Sequence, residues 1–140
     1  MSLFTWPARV YWEDTDGGAI VYYANYLRYL ERARTEWLRA RGYSQQALAR
    51  EPGILFTVVS LQVDYRAPAR LDDLLLISCE PKAEGPASLR FIQRIYRSDD
   101  EGAAGQLLVE ASVRVACVDA RTLRPRRPPD FLVAEDLAES

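Results

Sequence analysis

The chain has 140 residues, 49% of them hydrophobic, and a formal net charge of −2. This length fits one domain with a sizeable core, so neither a second domain nor global disorder is expected. The charge lacks the basic footprint of a duplex-binding protein, so we expect no nucleic-acid partner. The sequence contains no histidine. Ser-His-Asp and Cys-His catalysis and imidazole-ligated zinc are therefore excluded within it, and we expect neither a metal nor an organic cofactor.

The sequence shows no targeting or membrane-spanning segment. The first ten residues lack a basic stretch followed by an apolar one, so no signal peptide is expected. No run approaches the ~20 apolar residues that a membrane span requires. Cys79 and Cys117 lie in apolar, strand-like runs and are expected to be buried thiols in a reducing compartment. We therefore expect a soluble, cytoplasmic protein.

The first third of the chain predicts a strand, a polar turn and one long helix. Residues 4–12 read as the strand, and residues 13–18 as the turn. From about Tyr22 the apolar residues recur at helical spacing, at Tyr26, Leu30, Ala33 and Trp37. Gly42 is placed to end this helix, which predicts a length of about 17 residues, or ~25 Å.

The rest of the chain predicts one short helix and four strands. The helix covers residues 45–50, is capped by Ser44 and ends at Pro52 and Gly53. Period-two or continuous apolar patterns then predict strands at residues 59–66, 74–79, 88–97 and 107–119. A strand, a long helix and four strands in meander-like succession predict an antiparallel sheet with the helix on one face. The prediction is a single α+β domain over residues 1–140.

The turn and its flanks carry a resemblance to a known family. Residues 9–23, RVYWEDTDGGAIVYY, resemble the signature of the 4-hydroxybenzoyl-CoA thioesterase family: a strand, an Asp after Thr or Cys, and a small-residue turn into a helix. Within that family the likeness is greatest to the YbgC-type acyl-CoA thioesterases associated with the Tol–Pal system. Further matches follow in order at residues 29–36, 44–48, 65–73, 88–95 and 115–119. The resemblance implies a hotdog fold, an antiparallel five-stranded sheet wrapped around one long central helix, and assembly into a homodimer or tetramer.

The chemistry implied by this family identifies candidate site residues. Thioester hydrolysis needs an attacking oxygen and stabilisation of the charge that develops on the carbonyl oxygen. Asp16 is the candidate carboxylate, as nucleophile or as general base for water, and a turn or capping role is the alternative. Gly17 and Gly18 keep bulk away from the substrate. The N–H groups of Tyr22 and Tyr23 at the helix start are candidates to bind the carbonyl oxygen, and in the family the residue matching Tyr23 does so.

Tyr23 departs from many YbgC-type members, which have histidine at this position. A tyrosine hydroxyl can donate a hydrogen bond but is a poor base near neutral pH, because its unperturbed pKa is ~10. More of the proton transfer would then fall to Asp16. Tyr23 is nevertheless predicted as a catalytic residue through its backbone N–H.

Three other carboxylates are expected to have structural and not catalytic roles. Asp14 is expected to be a turn or surface residue. Glu31 and Glu36 alternate with arginines, so we expect a solvated face on which Arg32 and Glu36 form an i,i+4 ion pair. A catalytic helix carboxylate, as in another hotdog branch, is the alternative for these two glutamates.

Coenzyme A carries phosphates, so cationic contacts are expected despite the negative net charge. Arginine suits this role because its forked donors match phosphate oxygens. The densest basic cluster contains Arg121, Arg124, Arg126 and Arg127, and the other candidates are Lys82, Arg90 and Arg94. Arg90, Arg126 and Arg127 are predicted to bind substrate, and an ordinary solvated surface is the alternative.

The leading hypothesis is an acyl-CoA thioesterase that releases a free acid and CoA. Acyl-acyl-carrier-protein is the neighbouring substrate, which would make the carrier protein a partner. Hotdog dehydratases and hydratases typically use histidine, and its absence counts against them. The alternative is a non-catalytic acyl-thioester-binding subunit of an envelope or lipid-synthesis complex. Acyl length and the choice between aromatic and aliphatic groups are left open by the sequence.

Overall fold

The computed structural model describes residues 3–129, which form five strands, two α-helices and two 3-10 turns. The elements, in chain order, are β1 (Phe4–Arg9), α1 (Tyr26–Ala40), α2 (Gln45–Arg50), β2 (Ile54–Tyr65), β3 (Leu74–Ala83), β4 (Ser88–Ser98) and β5 (Ala104–Asp119). The 3-10 turns are Trp12–Asp14 and Tyr23–Asn25. The antiparallel sheet and the single long helix confirm the predicted α+β class. Within residues 3–129, no helix is long and apolar enough to cross a bilayer.

The strand order corrects one expectation. The sheet runs β1-β3-β4-β5-β2, and every neighbouring pair is antiparallel. The strands β3, β4 and β5 form the predicted meander, but β2 pairs with β5 and not with β3. Strand β3 is flanked by β1 and β4, so β2 cannot pair with it and lies instead at the β5 edge of the sheet. The segment between β2 and β3 therefore crosses the sheet and is not a hairpin.

Helix α1 follows the predicted periodicity. It begins at Tyr26, after the 3-10 turn, and packs its apolar face onto the sheet near β1 and β3. Its buried residues are Tyr26, Tyr29, Leu30, Ala33, Trp37 and Leu38. Burial of each large apolar side chain stabilises the fold by roughly 2 kcal/mol. Gly42 follows the helix with a φ of 91°, in the left-handed region that confirms its predicted role at the C-terminus.

A buried amide joins α1 to the sheet. The Gln93 side chain on β4 is fully buried, and its Nε2 donates to the Leu30 carbonyl of α1 at 3.0 Å. The same nitrogen lies 3.3 Å from the Ser78 carbonyl of β3. Its Oε1 accepts from Nη1 of Arg34 at 2.9 Å. Burial lowers the pKa of the Arg34 guanidinium, and the glutamine amide satisfies one of its donors.

Two local expectations have different outcomes. The short helix α2 is confirmed, and the Ser44 hydroxyl accepts from the Ala47 N–H at 3.1 Å as its cap. The Arg32–Glu36 pair is wrong. Glu36 instead pairs with Arg39, while the Arg32 guanidinium lies 5.8 Å from the centroid of the buried Tyr29 ring. Arg32 stays exposed, and its guanidinium is within the range of a cation–π contact with the Tyr29 ring.

The two edges of the sheet differ in length and chemistry. Strand β1 has 6 residues and contains Pro7, which removes a backbone donor. Strand β2 has 12 residues and leaves large apolar side chains exposed at Val58, Val59, Leu61 and Tyr65. A long apolar edge strand presents unpaired backbone groups that another chain can bind. The β2 edge is thus open to pairing in a way that the β1 edge is not.

Candidate active site

Asp16 lies in a tight exposed loop between the first 3-10 turn and the helix. Its N–H donates to the Ile20 carbonyl at 3.0 Å, and Thr15 bridges Val21 in antiparallel fashion. The Val21 N–H donates to the Ala69 carbonyl at 2.9 Å, which ties the loop to the segment between β2 and β3. The loop is therefore fixed at its base, while the Asp16 side chain points to an exposed position.

Both glycines of the loop have positive φ angles, but only Gly18 is also packed against a neighbouring side chain. Gly17 has a φ of 106°, and a side chain there would meet open space. Gly18 has a φ of 92°, and a Cβ there would lie 2.2 Å from the Trp12 indole. The Thr15 hydroxyl accepts from the Gly18 N–H at 2.9 Å and donates to the Trp12 carbonyl at 2.7 Å. Glycine at position 18 is thus required by the close approach of Trp12.

The Asp16 carboxylate has no side-chain partner among the residues that the structure describes. Among residues 3–129, no side chain donates a hydrogen bond to it and no arginine or lysine lies within ion-pair distance. Its oxygens are therefore available to a water molecule or to a substrate. The role of Asp16 as the reacting carboxylate stays a prediction.

The helix entrance supplies backbone donors beside this loop. The N–H of Tyr22 is already used, because it donates to the Asp14 carbonyl at 3.0 Å. Within the described part of the chain, no backbone carbonyl accepts from the N–H of Tyr23 or Ala24. These two groups begin the 3-10 turn that leads into α1, where the helix dipole favours negative charge. The structure thus removes the Tyr22 N–H from the predicted pair of donors and leaves that of Tyr23.

A cluster of tyrosines surrounds the helix entrance. The Tyr22 and Tyr23 ring centroids lie 4.9 Å apart, and Tyr65 of β2 lies 6.4 Å from Tyr23 and 5.5 Å from Tyr26. The Tyr65 hydroxyl donates to the Tyr23 carbonyl at 3.2 Å. The adjacent Tyr23 hydroxyl raises the pKa of Tyr22, and burial raises that of Tyr65. Raised pKa values keep these two phenols protonated, so at neutral pH they act as donors and not as bases.

Asp14 is buried, which corrects the expectation of a surface position. Only 8% of its surface is exposed. Its Oδ2 accepts from the Tyr11 N–H at 2.9 Å, and its carbonyl accepts from Nδ2 of Asn25 at 2.9 Å as well as from the Tyr22 N–H. The packing of Tyr29 beneath the loop encloses this carboxylate, and that enclosure is non-local. Sequence reasoning missed it because Glu13-Asp14-Thr15-Asp16 has the composition of an exposed turn.

The three predicted phosphate-binding arginines lie away from Asp16, with Arg90 in one place and Arg126 and Arg127 together in another. On β4, the Arg90 Nε and Nη2 donate to the Glu84 carboxylate at 2.7 and 2.9 Å, and Nη1 donates to Ser112 at 2.6 Å. The Glu84 carboxylate raises the pKa of Arg90 in return. Arg126 donates to the Pro52 carbonyl at 2.8 Å. It lines an open cleft of about 390 Å³ together with Arg127.

The Asp16 loop and the Arg126 cleft lie at opposite ends of β2. Tyr65 at one end contacts the helix entrance, whereas Ile54 at the other end lines the cleft. A strand of 12 residues spans roughly 36 Å at about 3.3 Å per residue. One chain therefore brings Asp16, Gly17, Gly18, Tyr22 and Tyr23 together, but it does not bring the arginines to them.

An apolar cavity of about 150 Å³ lies between α1 and the sheet, near the Ile54 end of β2. Its apolar walls are Trp37, Leu38, Phe56, Val58, Leu89, Phe91 and Val115, and its polar groups are Glu31, Arg34 and Gln45. No local sequence pattern predicts this cavity, because its walls come from α1, β2, β4 and β5.

The five-stranded antiparallel sheet packed on one long helix is the hotdog arrangement of a class of thioesterases. The chain belongs to the thioesterase superfamily, whose family model matches residues 18–104. It is similar to the acyl-CoA thioester hydrolase YbgC of Escherichia coli O6:H1, with 48% identity over 134 residues and 96% of both chains covered. This alignment leaves only a few residues of the chain outside it and so contains the Asp16 loop.

Solved structures support the same assignment. A probable thioesterase from Bartonella henselae superposes with a TM-score of 0.82 at 32% identity, covering 91% of this chain and 100% of the other. The 4-hydroxybenzoyl-CoA thioesterase from Pseudomonas sp. strain CBS-3 gives a TM-score of 0.83 at 25% identity, covering 94% and 97%. These likenesses confirm the predicted family and the predicted hotdog fold.

Proposed function

We propose that the chain hydrolyses acyl-CoA with Asp16 as the reacting carboxylate and the N–H of Tyr23 as a donor to the carbonyl oxygen. The chain is an acyl-CoA thioester hydrolase, the activity that its 48% identical relative carries in its name. The thioester C–S bond breaks, one water is consumed, and a free acid and the CoA thiol are released. The observation that carries the mechanism is the pairing of a partnerless carboxylate with an unused N–H at a helix entrance.

The two groups have complementary tasks in this mechanism. Asp16 either attacks the carbonyl carbon itself or removes a proton from the attacking water. In both cases negative charge develops on the carbonyl oxygen, and a preorganised N–H that receives this charge lowers the barrier by about 3 kcal/mol. Because the chain contains no histidine, no imidazole can share the proton transfer with the Asp16 carboxylate.

We further propose that the working unit is a homodimer built across the β2 edge. Antiparallel pairing of two copies of β2 about a twofold axis would cover the exposed Val58, Val59 and Leu61. The same pairing would bring the Ile54 end of one copy beside the Tyr65 end of the other. The Arg126 cleft of one chain would then serve the Asp16 loop of its neighbour. A tetramer built from two such dimers keeps this arrangement.

The apolar cavity supports a proposal on the acyl group. It opens near the Ile54 end of β2, so in the proposed dimer it would also face the Asp16 loop of the second copy. Apolar cavities of about 150 Å³ accept one benzene ring. We therefore propose short aliphatic or single-ring acyl groups as substrates.

We also place the reaction in the cytoplasm, in agreement with two buried thiols, Cys79 and Cys117.

The test of the reaction is thiol release from a panel of acyl-CoA esters. The panel contains straight chains of graded length, benzoyl-CoA and phenylacetyl-CoA, and the same acyl groups on acyl carrier protein. We expect turnover by the wild type and a loss of at least about 10³-fold in kcat for Asp16→Ala. The matched control is Glu13→Ala, an exposed carboxylate in the adjacent 3-10 turn, which should keep full activity.

The outcomes separate the alternatives. Full activity in Asp16→Ala would reject that residue as the reacting carboxylate. Thermal stabilisation by a non-hydrolysable acyl-CoA analogue, without any thiol release by the wild type, would instead favour a binding subunit. Faster release from acyl carrier protein than from CoA would make the carrier protein the physiological partner.

The dimer is tested by sedimentation and by mixing variants. At low substrate concentration we expect Asp16→Ala to be nearly inactive and Arg126→Ala/Arg127→Ala to keep about a tenth of the wild-type rate. The two sets of substitutions would lie in different halves of each composite site. After the two are unfolded and refolded together, half of the dimers contain one intact site, so activity should rise about fivefold above the mean of the parents. A monomer in sedimentation, or no gain on mixing, would reject the proposal.

A further inference from the structure

A second carboxylate lies two residues before Asp16 and has no part in the mechanism above. Asp14 is 8% exposed, and aspartate is rarely buried unless its oxygens are hydrogen-bonded. An exposed turn has no need of such a residue, because water can satisfy its polar groups. The burial of Asp14 therefore indicates that its bonds hold a particular backbone arrangement in place.

Asp14 connects the two segments that flank Asp16. On the strand side, its Oδ2 accepts from the Tyr11 N–H at 2.9 Å and closes the first 3-10 turn. On the helix side, its carbonyl accepts from the Tyr22 N–H at 3.0 Å and from Nδ2 of Asn25 at 2.9 Å. The first of these helix-side donors immediately precedes Tyr23 in sequence. The carboxylate of Asp14 thus fixes the approach to Asp16, and the main-chain carbonyl of the same residue fixes the peptide before the proposed oxyanion donor.

Tyr29 of α1 closes this arrangement from below. Its side chain is 1% exposed, and its hydroxyl has no hydrogen-bond partner within normal distance. Burial raises the pKa of Tyr29, and the neighbouring Asp14 carboxylate raises it further. The phenol therefore remains protonated beside the Asp14 carboxylate.

We propose that Asp14 is a positioning residue that sets the separation between the Asp16 carboxylate and the N–H of Tyr23. This inference rests on the proposed function of that site. Asp14 does not touch the substrate, and it acts by joining the end of the first 3-10 turn to the helix entrance. Displacement of a reacting group by about 1 Å costs on the order of 10²-fold in rate, so a slack loop would be costly to catalysis.

The experiment compares two substitutions that differ in one acceptor oxygen. Asp14→Ala removes the acceptor of the Tyr11 N–H, and we expect kcat to fall about 30-fold while KM stays within about threefold. Asp14→Asn keeps an oxygen of the same shape, so kcat should remain within about threefold of the wild type. The substrate is the acyl-CoA that the wild type hydrolyses fastest. Rates are measured well below the melting temperature of each variant, with folding checked by circular dichroism.

The matched control is Ser78→Ala on β3. The Ser78 side chain is buried, and its hydroxyl accepts from the Arg94 N–H at 2.9 Å, as Asp14 accepts from Tyr11, but far from the loop. It should lower the melting temperature and leave kcat unchanged. A second variant is Asn25→Ala, which removes the hydrogen bond from the Asn25 side chain to the main-chain carbonyl of Asp14. If the Asp14 and Asn25 side chains hold the same loop position, the fold-loss of kcat in Asp14→Ala/Asn25→Ala should be smaller than the product of the two single fold-losses.

Each result decides one question. Folded Asp14→Ala with kcat within twofold of the wild type, an equal loss in Ser78→Ala, or fully multiplicative losses with Asn25→Ala would overturn the positioning role alone. A wild type that releases no thiol from any acyl-CoA would overturn the proposed function and this inference together. A selective fall in kcat with rescue by asparagine supports both.

Discussion

The two ends of strand β2 carry sites of opposite construction. At the Tyr65 end, the Asp16 loop is held by backbone hydrogen bonds, two positive-φ glycines and packed tyrosines, with no cation within ion-pair distance of its carboxylate among the described residues. At the Ile54 end, the cleft offers the side chains of Arg126 and Arg127 on an open surface. Fixed backbone groups suit the stabilisation of a transition state, whereas charged side chains on an open surface suit the capture of phosphates. The first end should therefore govern kcat and the second KM.

The largest effect is expected when the proposed dimer is prevented from forming, so that the Tyr65 end of one chain no longer meets the Ile54 end of another. Leu61→Arg introduces a charge into the middle of the β2 edge, which is costly to bury in an apolar interface. We expect monomers in sedimentation and a loss of about 100-fold in kcat/KM, because neither end would then meet its complement. The control is Gln62→Arg on the opposite face of the same strand, where a polar groove already contains Arg66. A fully active Leu61→Arg monomer would show that one chain suffices.

Removal of the cations should affect substrate capture and leave the chemistry intact. For Arg126→Ala/Arg127→Ala we expect KM to rise about tenfold with kcat within about twofold, since charge-assisted bonds to phosphate contribute a few kcal/mol at most. The rise should shrink at high salt, where the wild type also loses this attraction. Arg121→Ala, an exposed neighbour that does not line the cleft, should leave KM unchanged. A fall in kcat with unchanged KM would contradict the division of tasks.

The rigidity of the loop can be tested at two neighbouring glycines. Gly17→Ala should destabilise the fold by about 1 kcal/mol, because alanine is strained at positive φ. Gly18→Ala should cost roughly 2 to 3 kcal/mol, because its Cβ would also overlap the Trp12 indole. Chemical denaturation measures both values. Equal losses in the free energy of unfolding would mean that the contact with Trp12 does not shape the loop.

The smallest expected effect concerns the Tyr65 hydroxyl, which joins β2 to the helix entrance. Tyr65→Phe removes its bond to the Tyr23 carbonyl and keeps the ring packing, so kcat should fall by about twofold to fivefold, equivalent to roughly 1 kcal/mol. The control is Tyr96→Phe on β4, away from the loop. Unchanged steady-state kinetics in Tyr65→Phe would limit the role of this tyrosine to packing.

Local patterns predicted the elements, and the family motif predicted the loop. The spacing of Tyr26, Leu30, Ala33 and Trp37 identified the buried face of α1, because helical periodicity is a property of neighbouring residues. The strand boundaries moved where tertiary pairing extended a strand. Residues 54–58 join β2 because they pair with β5. The first strand ends at Arg9, so residues 10–12 leave the predicted strand, and residues 12–14 form a 3-10 turn.

Features that depend on distant pairing were not predictable from one sequence. The place of β2 at the far edge follows from β1 having taken the position beside β3, a competition that no local pattern records. The burial of Asp14 depends on Tyr29, which lies fifteen residues further along the chain. The same holds for Arg90, whose forked donors are taken by Glu84 across a hairpin. Composition identified the cations, but only the fold shows which of them already have partners.

The buried Gln93 amide has a consequence for how the helix finds its place on the sheet. Apolar contacts are non-directional, so they select the face that α1 buries but allow it to slide by a fraction of a turn along its axis. A hydrogen bond from Gln93 to one helix carbonyl, that of Leu30, acts as a stop at a single point along the helix. Since the helix entrance carries the Tyr23 N–H, this stop also fixes how far that entrance projects beyond the sheet. We expect that a leucine at position 93 would preserve the stability of the domain but would no longer fix the position of α1 along its axis, and with it the position of the Tyr23 N–H.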